Sequence, residues 1–300
     1  MGTPDFAVPS LQKLVASSHN IALVVTGSDK RRGRKQKPTP TPVKAEAQKS
    51  NLDVWQTDDV RDGQLHQKLT EVKPDLIVVV AFKILPESLL EIPQIGAINL
   101  HASLLPKYRG AAPIHHAVIN GETETGCSVF FLNKGVDTGK IIDQTKTEIG
   151  PEETTGEVYH RLMNLGSDLL VSCVDAIAKN EVSPVTQDEN KATPAPKIYT
   201  NNCRIDFSQP APDVHNFIRG LSPFPGAWTT LNGKRLNIYR SRISDKQDTP
   251  GRIIHQKDNV FVACSEGAVE LVEVQLEGRK RMSGDELFRG FTEEPGYVDR

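Results

Sequence analysis

The sequence has no apolar run approaching the roughly eighteen consecutive residues of a membrane span. Its opening lacks a basic segment followed by an apolar stretch, so no secretory signal is expected. Met1-Gly2 opens like a myristoylation site, but position 6 is Phe rather than Ser or Thr. Cysteine is scarce: Cys127, Cys173, Cys203 and Cys264 are scattered without metal-type spacing, as buried or incidental thiols in a reducing compartment would be. No His-Glu-X-X-His, Cys-X-X-Cys or Gly-X-Gly-X-X-Gly occurs, so neither a metal nor a nucleotide cofactor is expected. A large excess of one charge is missing too. The net charge of -2 gives no support to a wholesale nucleic-acid binder, so any RNA site is expected to be a local patch. The expected compartment is the cytoplasm.

What is present is enough chain for one large domain or two ordinary ones, with 37% hydrophobic and 25% charged residues. Apolar runs at 21–26, 53–56, 75–80 and 95–100 read as strands, and the periodicity between them reads as helices near 42–49, 60–71 and 86–91. A helix over 112–120 and a strand pair over 125–132 and 140–149 follow, then a long amphipathic helix over 153–179. This alternation predicts an α/β domain over 1–188, Rossmann-like, with a mostly parallel sheet. Such a fold normally opens with a strand. Here the chain begins at the loop, so the first strand is expected to be missing. Proline, threonine, asparagine and charge then mark a linker over 189–202. Residues 203–300 are short runs broken by turns (204–207, 228–231, 235–239, 252–255, 260–263 and 269–276), the pattern of a small, OB-like β-barrel.

The chemistry gathers in Asn99-Leu100-His101-Ala102-Ser103-Leu104-Leu105-Pro106-Lys107-Tyr108-Arg109-Gly110. Side chains two apart on a strand share a face, so Asn99 and His101 point the same way at its carboxyl end, where open α/β sheets bind ligands. Gly135-Val136-Asp137-Thr138-Gly139 sets a carboxylate between two glycines, on a loop able to approach the same spot. The trio suits acyl transfer. An amide donates to a developing oxyanion, an imidazole exchanges a proton with an attacking amine, and a carboxylate fixes the imidazole or holds a proton-shuttling water. An Asn-X-His at a strand end also serves as a satisfied polar turn, and the residues alone leave that reading open.

A second feature is the segment from Lys30 to Lys44, with seven basic residues and no acid. Prolines at 38, 40 and 42 keep its end extended. It reads either as a solvated loop or, anchored behind a core strand, as a grip on phosphates.

The 99–110 string, the opening Gly2-Thr3-Pro4-Asp5-Phe6 and the segment Gly278-Arg279-Lys280-Arg281-Met282-Ser283 together resemble the folate-dependent formyltransferases, most closely the branch acting on methionyl-tRNA. That resemblance implies catalytic roles for Asn99, His101 and Asp137, and folate contact by Ser103, Leu104, Leu105 and Pro106. It implies 10-formyltetrahydrofolate as formyl donor and initiator methionyl-tRNA as partner, with no membrane and no obligate protein partner. It implies that the basic insertion enters the tRNA acceptor stem, with Arg34 on the family's loop arginine and Lys35 and Lys37 beside it. Phe6 then packs against the methionine side chain, or simply anchors the first helix. The 203–300 domain would hold tRNA, although its basic and acidic residues balance at fourteen each. Members acting on glycinamide ribonucleotide or an amino-sugar nucleotide share the trio, and a non-catalytic tRNA-binding protein of the same fold is a further alternative.

Overall fold

In the computed structural model, described for residues 1–31, 38–291 and 296–298, helices and strands alternate as far as residue 101. The elements are α1 (Val8–Ala16), β1 (Val24–Thr26), α2 (Pro42–Lys49), β2 (Val54–Gln56), α3 (Gly63–Val72), β3 (Leu76–Val80), α4 (Glu87–Leu90) and β4 (Gly96–His101). Local chemistry fixes the helix starts. Thr41 Oγ1 accepts the Lys44 N–H ahead of Pro42, and Asp62 accepts the Gln64 N–H. β1 pairs with β2, and β3 with β4, both in parallel.

Between β1 and β3 lie Met1 and Gly2. The Gly2 N–H donates to the Val25 carbonyl at 3.0 Å, and the Val80 N–H donates to the Met1 carbonyl at 2.9 Å. Beside this bridge is a cavity of about 550 Å³, lined in part by Leu11, Leu14, Val25, Ile77, Val174 and Ile177.

Next come β5 (Arg109–Gly110), α5 (Pro113–Ile119), β6 (Glu124–Phe131), β7 (Ile141–Glu148), α6 (Thr155–Ala178) and β8 (Pro194–Ala195). The sheet runs β3-β4-β6-β7, and β6 lies antiparallel to β4, with His101 opposite Ser128. The sheet is therefore parallel on one side of the motif strand and antiparallel on the other.

The remaining elements are α7 (Ala211–Gly220), β9 (Ala227–Leu231), β10 (Lys234–Ser244), β11 (Ile253–Gln256), β12 (Asn259–Ala263), β13 (Ala268–Leu276) and α8 (Gly284–Phe288). Their strands form one antiparallel sheet in the order β11-β12-β13-β10-β9. Leu236, Ile238, Val262 and Val274 turn inward from it and pack with Ile218 and Phe288. The run 204–207 is not a strand. Only Arg204 bridges to Trp228, and Asp206 folds the chain into a turn by accepting the N–H and hydroxyl of Ser208.

The described residues divide into two compact units. One comprises 1–110, 126–147 and 159–194, the other 111–125, 148–158 and 195–300. All four cysteines are buried and free. No helix among the described residues is long and apolar enough to cross a membrane.

Candidate active site

The pleat of β4 puts Asn99 and His101 on one face at its carboxyl end, Asn99 half-buried and the His101 side chain 7% exposed. Beyond it the chain turns at Tyr108, in the left-handed region at φ 62°, and so brings the Tyr108 carbonyl within 2.9 Å of His101 Nε2. A carbonyl only accepts, so Nε2 carries a proton and donates it there. Nδ1 is thereby left as the nitrogen free to gain and lose a proton. It faces Asp137 Oδ2 at 3.7 Å, an ion-pair distance rather than a hydrogen bond.

Asp137 reaches this position from the loop between β6 and β7, with its own backbone left-handed at φ 54°. Asn133 Oδ1 braces that loop by accepting the Gly135 N–H at 3.0 Å and the Thr138 hydroxyl at 2.8 Å. Gly139 is a steric necessity, since a Cβ there would lie 1.6 Å from the Phe131 carbonyl oxygen. The carboxylate is fixed by the Gly110 N–H, which donates to Oδ2 at 2.9 Å. Two turns distant in sequence thus bring His101 and Asp137 together at the end of the strand that carries Asn99.

The Ser103-to-Pro106 loop is held from within. Ser103 Oγ donates to the Lys107 carbonyl at 2.7 Å, and Ser128 Oγ accepts the Leu105 N–H while donating to the Ser103 carbonyl. Ser103 and Leu105 are buried, while Leu104 and Pro106 are half-buried.

Other candidates are placed differently. Phe6 is 5% exposed and packs edge-on against Tyr159, whose hydroxyl accepts the Phe6 N–H at 3.1 Å. That geometry serves the anchoring role and leaves the ring little free surface. Arg34, Lys35 and Lys37 lie outside the described residues. The base of their loop is closed by paired hydrogen bonds between Lys30 and Thr39. Lys44, one of the seven basic residues of that segment, is held locally. Its Nζ binds both Asp29 oxygens at 2.8 and 2.9 Å and Gln56 Oε1 at 2.6 Å, which holds the Asp29 carboxyl below its usual range. Gln187 carries no motif of its own, yet its side chain is buried against the Asp137 loop.

The formyl transferase family model matches residues 1–174, and the formyl transferase C-terminal domain model matches 197–292. The chain is 46% identical over 298 residues to the methionyl-tRNA formyltransferase of Chlorobium chlorochromatii, covering 97% of this chain and 95% of that protein. It is 43% identical over 309 residues to the methionyl-tRNA formyltransferase of Bacteroides thetaiotaomicron, covering 99% and 96%. Among solved structures, the sugar 3N-formyl transferase WlaRD, studied with dTDP and 5-N-formyl-THF, aligns at TM-score 0.69 and 19% identity, covering 93% of this chain and 97% of that one. The N-formyltransferase of Helicobacter canadensis, in complex with folinic acid and dTDP-3-aminofucose, aligns at 0.70 and 19%, covering 90% and 96%. At such identity these two structures speak to the shared fold.

Proposed function

The chain belongs to the formyl transferase family, and from that premise we propose that it transfers the formyl group of 10-formyltetrahydrofolate to the α-amine of methionyl-tRNA, giving N-formylmethionyl-tRNA for translation initiation. The observation that carries this reading is the His101–Asp137 pair, held with Nδ1 toward the carboxylate at the end of the Asn99 strand.

The chemistry follows from these groups. The acceptor nitrogen bonds to the formyl carbon, and the carbonyl π pair moves onto oxygen. The Asn99 carboxamide donates to that oxygen as its charge grows. His101 takes the proton of the attacking nitrogen at Nδ1 and returns it to the departing folate nitrogen as the old C–N bond breaks. Asp137 stabilises the imidazolium that exists between those two transfers. The products are an amide on the acceptor and tetrahydrofolate bearing the proton.

Leu104 and Pro106 would hold the folate by their apolar surfaces, with Ser103 and Leu105 keeping the loop in shape. Arg34, Lys35 and Lys37 would contact acceptor-stem phosphates, and the 203–300 region would contact the tRNA body. We place the reaction in the cytoplasm, with free folate and aminoacylated tRNA as its substrates.

The decisive experiment offers the protein 10-formyltetrahydrofolate with methionyl-tRNA, glycinamide ribonucleotide or an amino-sugar nucleotide. Methionyl-tRNA is expected to be formylated, and the other two left essentially untouched. Transfer confined to either small acceptor would overturn the assignment. Tight tRNA binding without transfer to any of the three would point to the non-catalytic alternative.

A further inference from the structure

Asp137 sits in an unfavourable backbone conformation on a loop whose internal brace, Asn133, reaches Gly135 and Thr138 and leaves the Asp137 carbonyl untouched. What fixes that carbonyl comes from fifty residues downstream. Gln187 Nε2 donates to the Asp137 carbonyl at 2.9 Å and to the Gly139 carbonyl at 2.8 Å. Its Oε1 accepts from Arg109 Nε at 3.1 Å and Arg109 Nη2 at 2.8 Å. Arg109 is itself held by both oxygens of Glu189 at 2.8 Å, and its N–H donates to the Thr193 carbonyl. The next residue, Gly110, supplies the N–H that grips the Asp137 carboxylate.

Only a primary carboxamide can give two N–H donors and accept two hydrogen bonds at once, and Gln187, 6% exposed, uses all four. It ties the Asp137 and Gly139 carbonyls to the residue beside the one that holds the Asp137 side chain. We propose that Gln187 is a positioning residue, a latch that works through Arg109 to keep the Asp137 carboxylate in place before His101. The proposal rests on the reading of Asp137 as a member of the catalytic trio. A misplacement of about 1 Å in such a group can cost about a hundredfold in rate, so the latch has kinetic consequences without touching substrate.

The test combines Gln187→Met, which keeps volume and removes all four hydrogen bonds, with Asp137→Asn and the double variant. Gln187→Met is expected to lower kcat by about tenfold or more, with KM for methionyl-tRNA and for 10-formyltetrahydrofolate within about twofold of wild type. In the Asp137→Asn background the same change is expected to cost nothing further, since the group it positions is already disabled. A purely structural role would lower both backgrounds alike, and that result, or an unchanged kcat in folded Gln187→Met, overturns the latch. Should Gln187→Met not fold, Arg109→Lys keeps the charge but loses the fork toward Gln187, and is expected to show the same split more weakly. Hydrogen exchange at the Gly110 amide separates this proposal from the reading beneath it. Faster exchange in Gln187→Met supports the latch and unchanged protection overturns it, whereas wild-type turnover in Asp137→Asn overturns the catalytic assignment instead.

Discussion

The two compact units keep their backbones in place by different means. In the five-stranded sheet of 227–276, alternation does the work: Leu236 and Ile238 face the apolar core while Arg235 and Asn237, which alternate with them, do not. Each strand pairs with a sequence neighbour, and β10 also pairs with β13 across the two strands that lie between them in the chain. At the end of β4 the chain is held instead by single polar groups arriving from far away. Tyr108 and Asp137 are both left-handed, and the contacts pinning the Asp137 loop span fifty residues to Gln187 and seventy-eight from there to Arg109. Apolar burial is non-directional and supplies stability, whereas oriented hydrogen bonds fix where one carboxylate points. The proposed chemistry lies where direction matters.

This contrast implies that activity and stability should separate by region, beginning with the strand end. His101→Ala is expected to reduce turnover about 10²- to 10⁴-fold, and Asn99→Ala about a hundredfold or more, with tRNA affinity and melting temperature little changed. Steady-state kinetics beside a thermal melt would show it. Wild-type rates in either variant would remove the trio from the reaction. The opposite is expected of Ile238→Ala, fully buried in the other unit. It should cost about 2–5 kcal/mol of stability in denaturant titration, with kcat per folded molecule unchanged. A variant that stayed as stable as wild type but lost catalysis would break the separation.

The same contrast decides how much the sequence could reveal. The Asn99 and His101 pair was legible because a strand's period of two is a local rule, and the strands of β3 and β4 because continuous apolar runs announce themselves. Gln187 was not, since nothing within a few residues of it specifies a contact with Asp137. The strand proposed at 204–207 failed on a side-chain effect, the turn built by Asp206 over Ser208. β10 runs five residues past the expected 239, because register shifts on either side of Arg240 break the alternation on which the reading depended. The pairing of Lys44 could not be read from its segment, because its partners, Asp29 and Gln56, lie outside the run 30–44. Patterns that repeat along the chain can be read from it; a single long-range polar contact cannot.

The smallest effect expected sits at the start of α6 and tests whether local polar contacts also serve stability alone. Thr154 and Glu157 form a reciprocal cap: the Thr154 N–H and hydroxyl both donate to Glu157 Oε2 at 2.8 Å, and Arg240 Nη2 donates to Oε1 at 2.6 Å. Burial works against the Glu157 charge, but the Thr154 N–H and hydroxyl and the Arg240 guanidinium overcome it and hold the carboxyl down at about 2. A carboxyl lowered from its unfolded value of about 4.5 stabilises the fold fully above that pH. The contribution is lost as the pH falls from there toward 2. Glu157→Gln should therefore cost about 1 kcal/mol at pH 7, the usual scale for a helix cap, and progressively less than that below pH about 4.5. Denaturant titrations of both proteins from neutral to acidic pH would decide it. A gap between them that stayed constant into strong acid would mean that Glu157 acts by shape rather than by charge.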